Sequence, residues 1–196
     1  DEREIWERQM MTRCRPIVDF QGLGRKAMRQ IAPHIYNDSY DSSLATEILA
    51  IRLRVQDELG SRRGKYDVKR GRGGIMDIDF LTHYLQLKNA HRYPALQTSS
   101  TRVALEALAS QALLTSLQAT SMLNAYDFFK QIEACLRLFD MKSANTFSST
   151  LDDSNALVRA MAQGKEHAAE HFLNEYRETS TLVQTLFINT LNQTNV

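Results

Sequence analysis

Apolar residues recur along this chain at spacings of three and four, and strict apolar–polar alternation is almost absent, so the pattern predicts helices throughout. A first helix is expected over about residues 1 to 14, with Trp6, Met10 and Arg13 on one stripe and a stop before Pro16. A second runs from about Leu23 to Tyr36, with Pro33 near its end. Asp41 or Ser42 caps a third, whose stripe is Leu44, Ile48, Ile51, Val55 and Leu59, halted at Gly60. Glycines and cations interrupt the pattern from 60 to 74, before a fourth helix from about Ile75 to His91. A short fifth spans roughly Thr101 to Gln111. Thr115 and Gln118 form a capping box for a long sixth, carrying Met122, Tyr126, Phe129, Ile132, Leu136 and Phe139. Residues 143 to 153 read as a loop, a seventh helix ends at Gly164, and an eighth carries Phe172, Leu173, Tyr176, Val183, Leu186 and Phe187. Long helices with short connections predict an all-α, up-and-down helical bundle. Residues 1–60 would form an N-terminal helical arm and 61–196 the bundle, opening with the basic, glycine-rich segment.

With 196 residues and 43% hydrophobic positions, the chain can build one sizeable core or two small ones. Its 24 Lys and Arg against 23 Asp and Glu leave a formal charge of +1, which gives no global reason to expect nucleic acid or a membrane as partner. No apolar stretch approaches the roughly 18 to 20 residues of a membrane span. Cys14 and Cys135 are too few for a disulfide framework or a Cys-rich zinc site, which suits a reducing cytoplasm. The opening in helix-like sequence is that expected of a piece of a longer polypeptide.

Between positions 62 and 72 stand six cations, Arg62, Arg63, Lys65, Lys69, Arg70 and Arg72, against the single acid Asp67. Gly71, Gly73 and Gly74 follow, and then a helix begins, so cations and free backbone N–H groups would face one space. That combination suits a phosphate, although the spacing is not that of a Walker A loop. The plainer alternative is a solvated basic loop joining two helices. At about 100° per residue, Asp77 falls among the apolar positions of the fourth helix, and Asp79 lies with Thr82, His83 and Gln86 on its polar side. The two acids therefore do not share a metal. Asp77 needs a cation, from the loop or the first helix, and would brace the loop or floor a site. Asp79 would be a solvated first-turn acid or reach a ligand at the mouth of a cleft.

Two motifs carry less than their letters suggest. Gly60-Ser61 with Asp77-Ile78-Asp79 imitates the Gly-Ser and Asp-x-Asp of nucleotidyltransferase palms, but the acids open a helix where a strand is needed. His167-Ala168-Ala169-Glu170-His171 matches a zinc-binding order, yet these His and Glu lie opposite Phe172, Leu173 and Tyr176, on a solvent face. No metal ligands are assigned. Trp6, Tyr126, Phe128 and Phe129 read as core or helix-interface residues.

The run Tyr66-Asp67-Val68-Lys69-Arg70-Gly71-Arg72-Gly73-Gly74-Ile75-Met76-Asp77-Ile78-Asp79-Phe80 resembles the signature of the glutamine synthetase adenylyltransferases. Ile5-Trp6-Glu7-Arg8-Gln9 is similar to that family's helix just after the catalytic palm, and Tyr84-Leu85-Gln86-Leu87, Ala90-His91 and Pro94-Ala95-Leu96 extend the likeness. These flanks resemble the C-terminal, adenylylating half more than the deadenylylating half. The likeness runs to about residue 140; beyond it only the helical pattern continues. A related Lys, Gly-Gly and Asp arrangement occurs in the uridylyltransferases that modify the PII signal protein.

The resemblance implies a cytoplasmic enzyme that uses ATP and Mg²⁺ to attach AMP to a tyrosine of glutamine synthetase, with PII relaying nitrogen status. This chain would be the helical, substrate-binding-type domain after the palm, carrying no catalytic residue of its own and inactive in isolation. Lys69, Arg70 and Arg72 would neutralise phosphate charge in the nucleotide cleft, Gly73 and Gly74 would offer backbone donors, and Asp77 would brace the loop. Its partners would be glutamine synthetase, PII and its own palm domain. The rival readings are a module that docks glutamine synthetase or PII, the equivalent domain of a PII uridylyltransferase, and, on the cation cluster alone, a nucleic-acid binder whose affinity would fall with salt.

Overall fold

A computed structural model describes residues 5–37, 43–60, 63–140, 145–152, 154–162 and 167–192. Among the described residues eight α-helices are formed: α1 (Ile5–Met11), α2 (Leu23–Ile35), α3 (Leu44–Leu59), α4 (Ile75–Asn89), α5 (Thr101–Ser110), α6 (Ser116–Asp140), α7 (Ala156–Ala162) and α8 (Ala168–Asn192). The fold is all-α, as the periodicity predicts. The capping box opens α6 as expected, with Thr115 N donating to Gln118 Oε1 (2.9 Å) and Gln118 N to Thr115 Oγ1 (3.2 Å). Expectations for residues 1–4, for the Asp41 or Ser42 cap, for Ser61 and Arg62, and for Gly164 fall outside the described residues. No described helix is long and apolar enough to cross a membrane.

One element escapes a reading by periodicity. β1 (Lys65–Asp67) and β2 (Thr146–Ser148), three residues each, pair antiparallel in the register Lys65 to Ser148, Tyr66 to Phe147 and Asp67 to Thr146. Three residues are too few to show an alternation. β2 lies in the stretch expected to be loop.

The chain forms two compact units. The first comprises Asp1–Ile51, Asp79–Thr120 and Thr190–Val196, with a core that includes Ile35, Ile48, Leu81, Tyr84, Leu105 and Leu108. Within it α1 turns an unexpected side inward: Trp6 is 49% exposed, while Gln9 is buried. The polar side expected for α4 is also enclosed, since Thr82, His83 and Gln86 are all buried. Gln86 is satisfied there by the carbonyls of Leu96 (2.6 Å) and Thr98 (2.8 Å).

The second unit comprises Arg52–Ile78 and Ser121–Asn189. Its core is aromatic: Phe129, Phe147, Phe172 and Tyr176 are buried, and the ribbon sets Tyr66 and Phe147 at 4.9 and 5.0 Å from the Tyr176 ring. Such ring pairs contribute about 0.5–1.5 kcal/mol each beyond their buried area. Glu170 and His171 point to solvent on α8, opposite buried Ala168, Ala169 and Phe172.

Candidate functional site

The basic loop between β1 and α4 closes on itself. Asp67, the last residue of β1, accepts through one carboxylate oxygen from Lys69 N (2.9 Å) and Arg70 N (2.8 Å), which turns the chain. Gly71 N returns to Asp67 O (2.9 Å), Gly74 N to Gly71 O (3.1 Å), Ile75 N to Val68 O (3.0 Å) and Met76 N to Lys69 O (3.0 Å). The N–H groups at the start of α4 are therefore already committed. Gly73 N is too, donating to Asp77 Oδ2 at 2.5 Å. What the loop turns outward is its cationic side chains: Arg72 is exposed, and the half-buried Lys69 and Arg70 make no ion pair among the described residues.

The two glycines shape this loop by what they lack. Gly73 has φ +66°, and a Cβ there would fall on the carbonyl oxygen of Ser180. A Cβ on Gly74 would lie 2.6 Å from Val68 O. The loop thus rests directly against α8, where Ser180 Oγ donates to Arg72 O (2.5 Å) and Gln184 Oε1 accepts from Arg72 Nε.

Asp77 does have a cationic partner, from neither place expected. It is Arg52 of α3, whose side chain is 1% exposed against 2% for that of Asp77. Arg52 Nε donates to Asp77 Oδ1, and Nη2 donates to the carbonyls of Arg70 (3.0 Å) and Gly71 (2.8 Å). One buried guanidinium therefore ties the α4 carboxylate to the loop backbone. Burial pushes the Asp77 carboxyl above its ordinary value, while Arg52, the Gly73 N–H and Arg72 pull it down. Arg52 stands four residues after Ile48 and eight after Leu44, on the row those residues bury, and a cation on that row was the available signal.

Asp79 is not a solvated acid. In the first unit it accepts from Arg13 Nη1 (3.1 Å) and Thr101 Oγ1 (2.7 Å), and Thr101 also accepts from Arg13 (2.8 Å). One turn on, His83 is 4% exposed and neither ring nitrogen has a hydrogen-bond partner among the described residues. Burial pushes its imidazole down to about 4, with the Asp79 charge opposing and Arg13 adding. Asp77 is thus engaged through both oxygens by Arg52 and Gly73, and Asp79 through Oδ1 by Arg13 and Thr101.

The sequence profile of GlnD PII-uridylyltransferase matches residues 49–191. The chain belongs to that family. Its span takes in Arg52, the whole loop, Asp77, Ser180 and Gln184, and so extends well past residue 140, where the likeness read from sequence faded. Arg13, the partner of Asp79, lies outside it. Among relatives, the bifunctional glutamine synthetase adenylyltransferase/adenylyl-removing enzyme of Corynebacterium efficiens is 28% identical over 182 residues, covering 89% of this chain and 17% of that protein. The enzyme of the same name from Chromobacterium violaceum is 31% identical over 163 residues (83% and 17%), and that from Idiomarina loihiensis 35% over 133 (66% and 14%). The chain spans less than a fifth of the length of these relatives.

Proposed function

We propose that this GlnD-family chain is the helical domain beside the catalytic palm of a nucleotidyltransferase, and that its basic loop forms one wall of the nucleotide cleft. The reaction is transfer of AMP from ATP to a tyrosine of glutamine synthetase, under the influence of PII. The observation that carries the reading is the construction of the loop: its backbone bonds are closed internally and braced by Arg52 and Asp77, so Lys69, Arg70 and Arg72 are held on a rigid frame. Cations fixed in advance stabilise charge developing on a transferred phosphoryl group without reorganising. Gly73 serves by allowing the close seat on α8 and Gly74 by letting the loop fold back on Val68 O, and phosphate is met by side chains. The carboxylates for Mg²⁺ would come from the palm.

The test is AMP transfer to glutamine synthetase by the full-length enzyme, comparing wild type with Lys69→Ala/Arg72→Ala after circular dichroism has confirmed folding. A fall in kcat, or a rise in KM for ATP, is expected, and the split between them separates transition-state from uniform binding. Unchanged ATP kinetics would leave the loop as a docking or structural element. Because the matching profile is that of PII-uridylyltransferases, the same pair of proteins is assayed with UTP and PII. Transfer of UMP with no AMP transfer would assign the chain to that chemistry instead.

A further inference from the structure

On α8, Arg177, Ser180, Thr181 and Gln184 follow at spacings of three, four and seven, a polar stripe facing β1 and the loop. With Lys65, Tyr66 and Arg72 this stripe encloses a cavity of about 430 Å³, a size typical of small-molecule sites. Three of the wall residues are cations, and no carboxylate lines the cavity. Two of these cations are already oriented: Arg72 Nε donates to Gln184 Oε1, and Arg177 Nε donates to Tyr66 Oη at 3.0 Å. Arg177 also donates through Nη1 to Asn174 Oδ1 (3.2 Å), so Arg177 keeps Nη2, and Arg72 both terminal nitrogens, to meet a ligand. The Tyr66 hydroxyl accepts from Arg177 and so keeps its own proton to donate. Its ring, 4.9 Å from that of Tyr176, gives the cavity a flat apolar side.

We propose that this cavity is an anion site for a small organic phosphate, its phosphoryl group held by Lys65, Arg72, Arg177 and Tyr66 and its uncharged body laid against the Tyr66 ring. Three cations around one space carry more positive charge than the single negative charge of a carboxylate answers, whereas a phosphoryl group offers three oxygens and close to two negative charges. The site shares Arg72 with the loop but is otherwise distinct from it, since neither Lys69 nor Arg70 lines it. It stands whether or not the loop meets a nucleotide. Because Arg72 O rests on Ser180 in the same wall, a ligand here also holds the loop against α8.

Isothermal titration calorimetry on the 196-residue chain tests this with phenyl phosphate, inorganic phosphate and benzoate as probes. Phenyl phosphate is expected to bind more tightly than either of the others. Lys65→Gln, which removes a side chain with no partner among the described residues, should weaken it about tenfold, as should Arg177→Gln. Lys69→Ala/Arg70→Ala should leave it unchanged. No binding of phenyl phosphate would overturn the proposal, as would inorganic phosphate binding equally well, or binding that survives Lys65→Gln and is lost in Lys69→Ala/Arg70→Ala. Arg72 is common to both proposals, so Lys65→Gln and Arg177→Gln, which leave Lys69, Arg70 and Arg72 in place, are the variants whose failure is distinguishable from failure of the nucleotide-cleft reading.

Discussion

Replacing Asp77 by Asn keeps the side chain's shape and removes its charge, which isolates what the brace contributes. In the native protein the two Asp77 oxygens accept from Arg52 Nε and Gly73 N, and Arg52 has only carbonyl oxygens besides. An Asn offers one acceptor oxygen, so its amide N–H₂ must face one of these two donors. Arg52 cannot shed its proton and is left buried without a counter-charge. Removing one member of a buried pair costs about 3–5 kcal/mol, a large part of the roughly 5–15 kcal/mol that holds a domain folded. With a urea m-value of about 2 kcal/mol/M, the midpoint of unfolding followed by far-UV circular dichroism should fall by roughly 1.5–2.5 M. Arg52→Met/Asp77→Leu should recover much of that loss, because no unpaired charge remains. An Asp77→Asn midpoint within about 0.5 M of wild type, on the same m-value, would refute the assignment of Arg52 and Asp77 as a coupled brace.

Gly73→Ala places a Cβ on Ser180 O at φ +66° and should cost about 2–3 kcal/mol in thermal unfolding, whereas Gly64→Ala, at φ +77° with open space around it, should cost only about 1 kcal/mol. Equal losses at the two positions would argue against the close seat on α8. His83, held down to about 4 by burial against an ordinary 6.5, binds its proton in the unfolded chain first. Stability should therefore be full above pH 6.5 and fall as pH drops from 6.5 to 4, by about 3 kcal/mol in all. His83→Leu should flatten the urea midpoint over that window; a slope that persists would place the titration elsewhere. Ser180→Ala should lose about 0.5–1.5 kcal/mol and speed amide exchange around Gly73, measurable by NMR.

Helix periodicity is a property of neighbouring residues, and that is why α2, α5 and α6 were legible within a residue or two of their ends. Thr115 with Gln118 is local in the same sense. The placing of Asp77 on a buried row was also legible, because it needs only the helical repeat. Which cation answers it was not, since Arg52 lies 25 residues back and nothing local marks it apart from its step from Ile48. Asp79 was misread for a related reason: a polar face on a wheel predicts solvent, but Arg13 and Thr101 come from 66 and 22 residues away to cover it. Likewise the loop's N–H groups looked free because their acceptors depend on a fold-back that composition does not encode. The stripe from Arg177 to Gln184 has a helical period of its own, yet a polar stripe on an amphipathic helix ordinarily means water.

The seat of the loop on α8 has a consequence for the order in which the molecule comes into being. Arg72 meets Ser180 and Gln184 across 108 and 112 residues, and Tyr66 meets Arg177 across 111. At roughly 5–20 residues per second on the ribosome, some 5–20 s separate the synthesis of the loop from that of its support. During that interval Lys65 and Arg72 have left the ribosome without the helix that will orient them, while Arg52 is already made. The nascent chain can therefore set its internal brace early and acquire the finished basic surface only when α8 arrives.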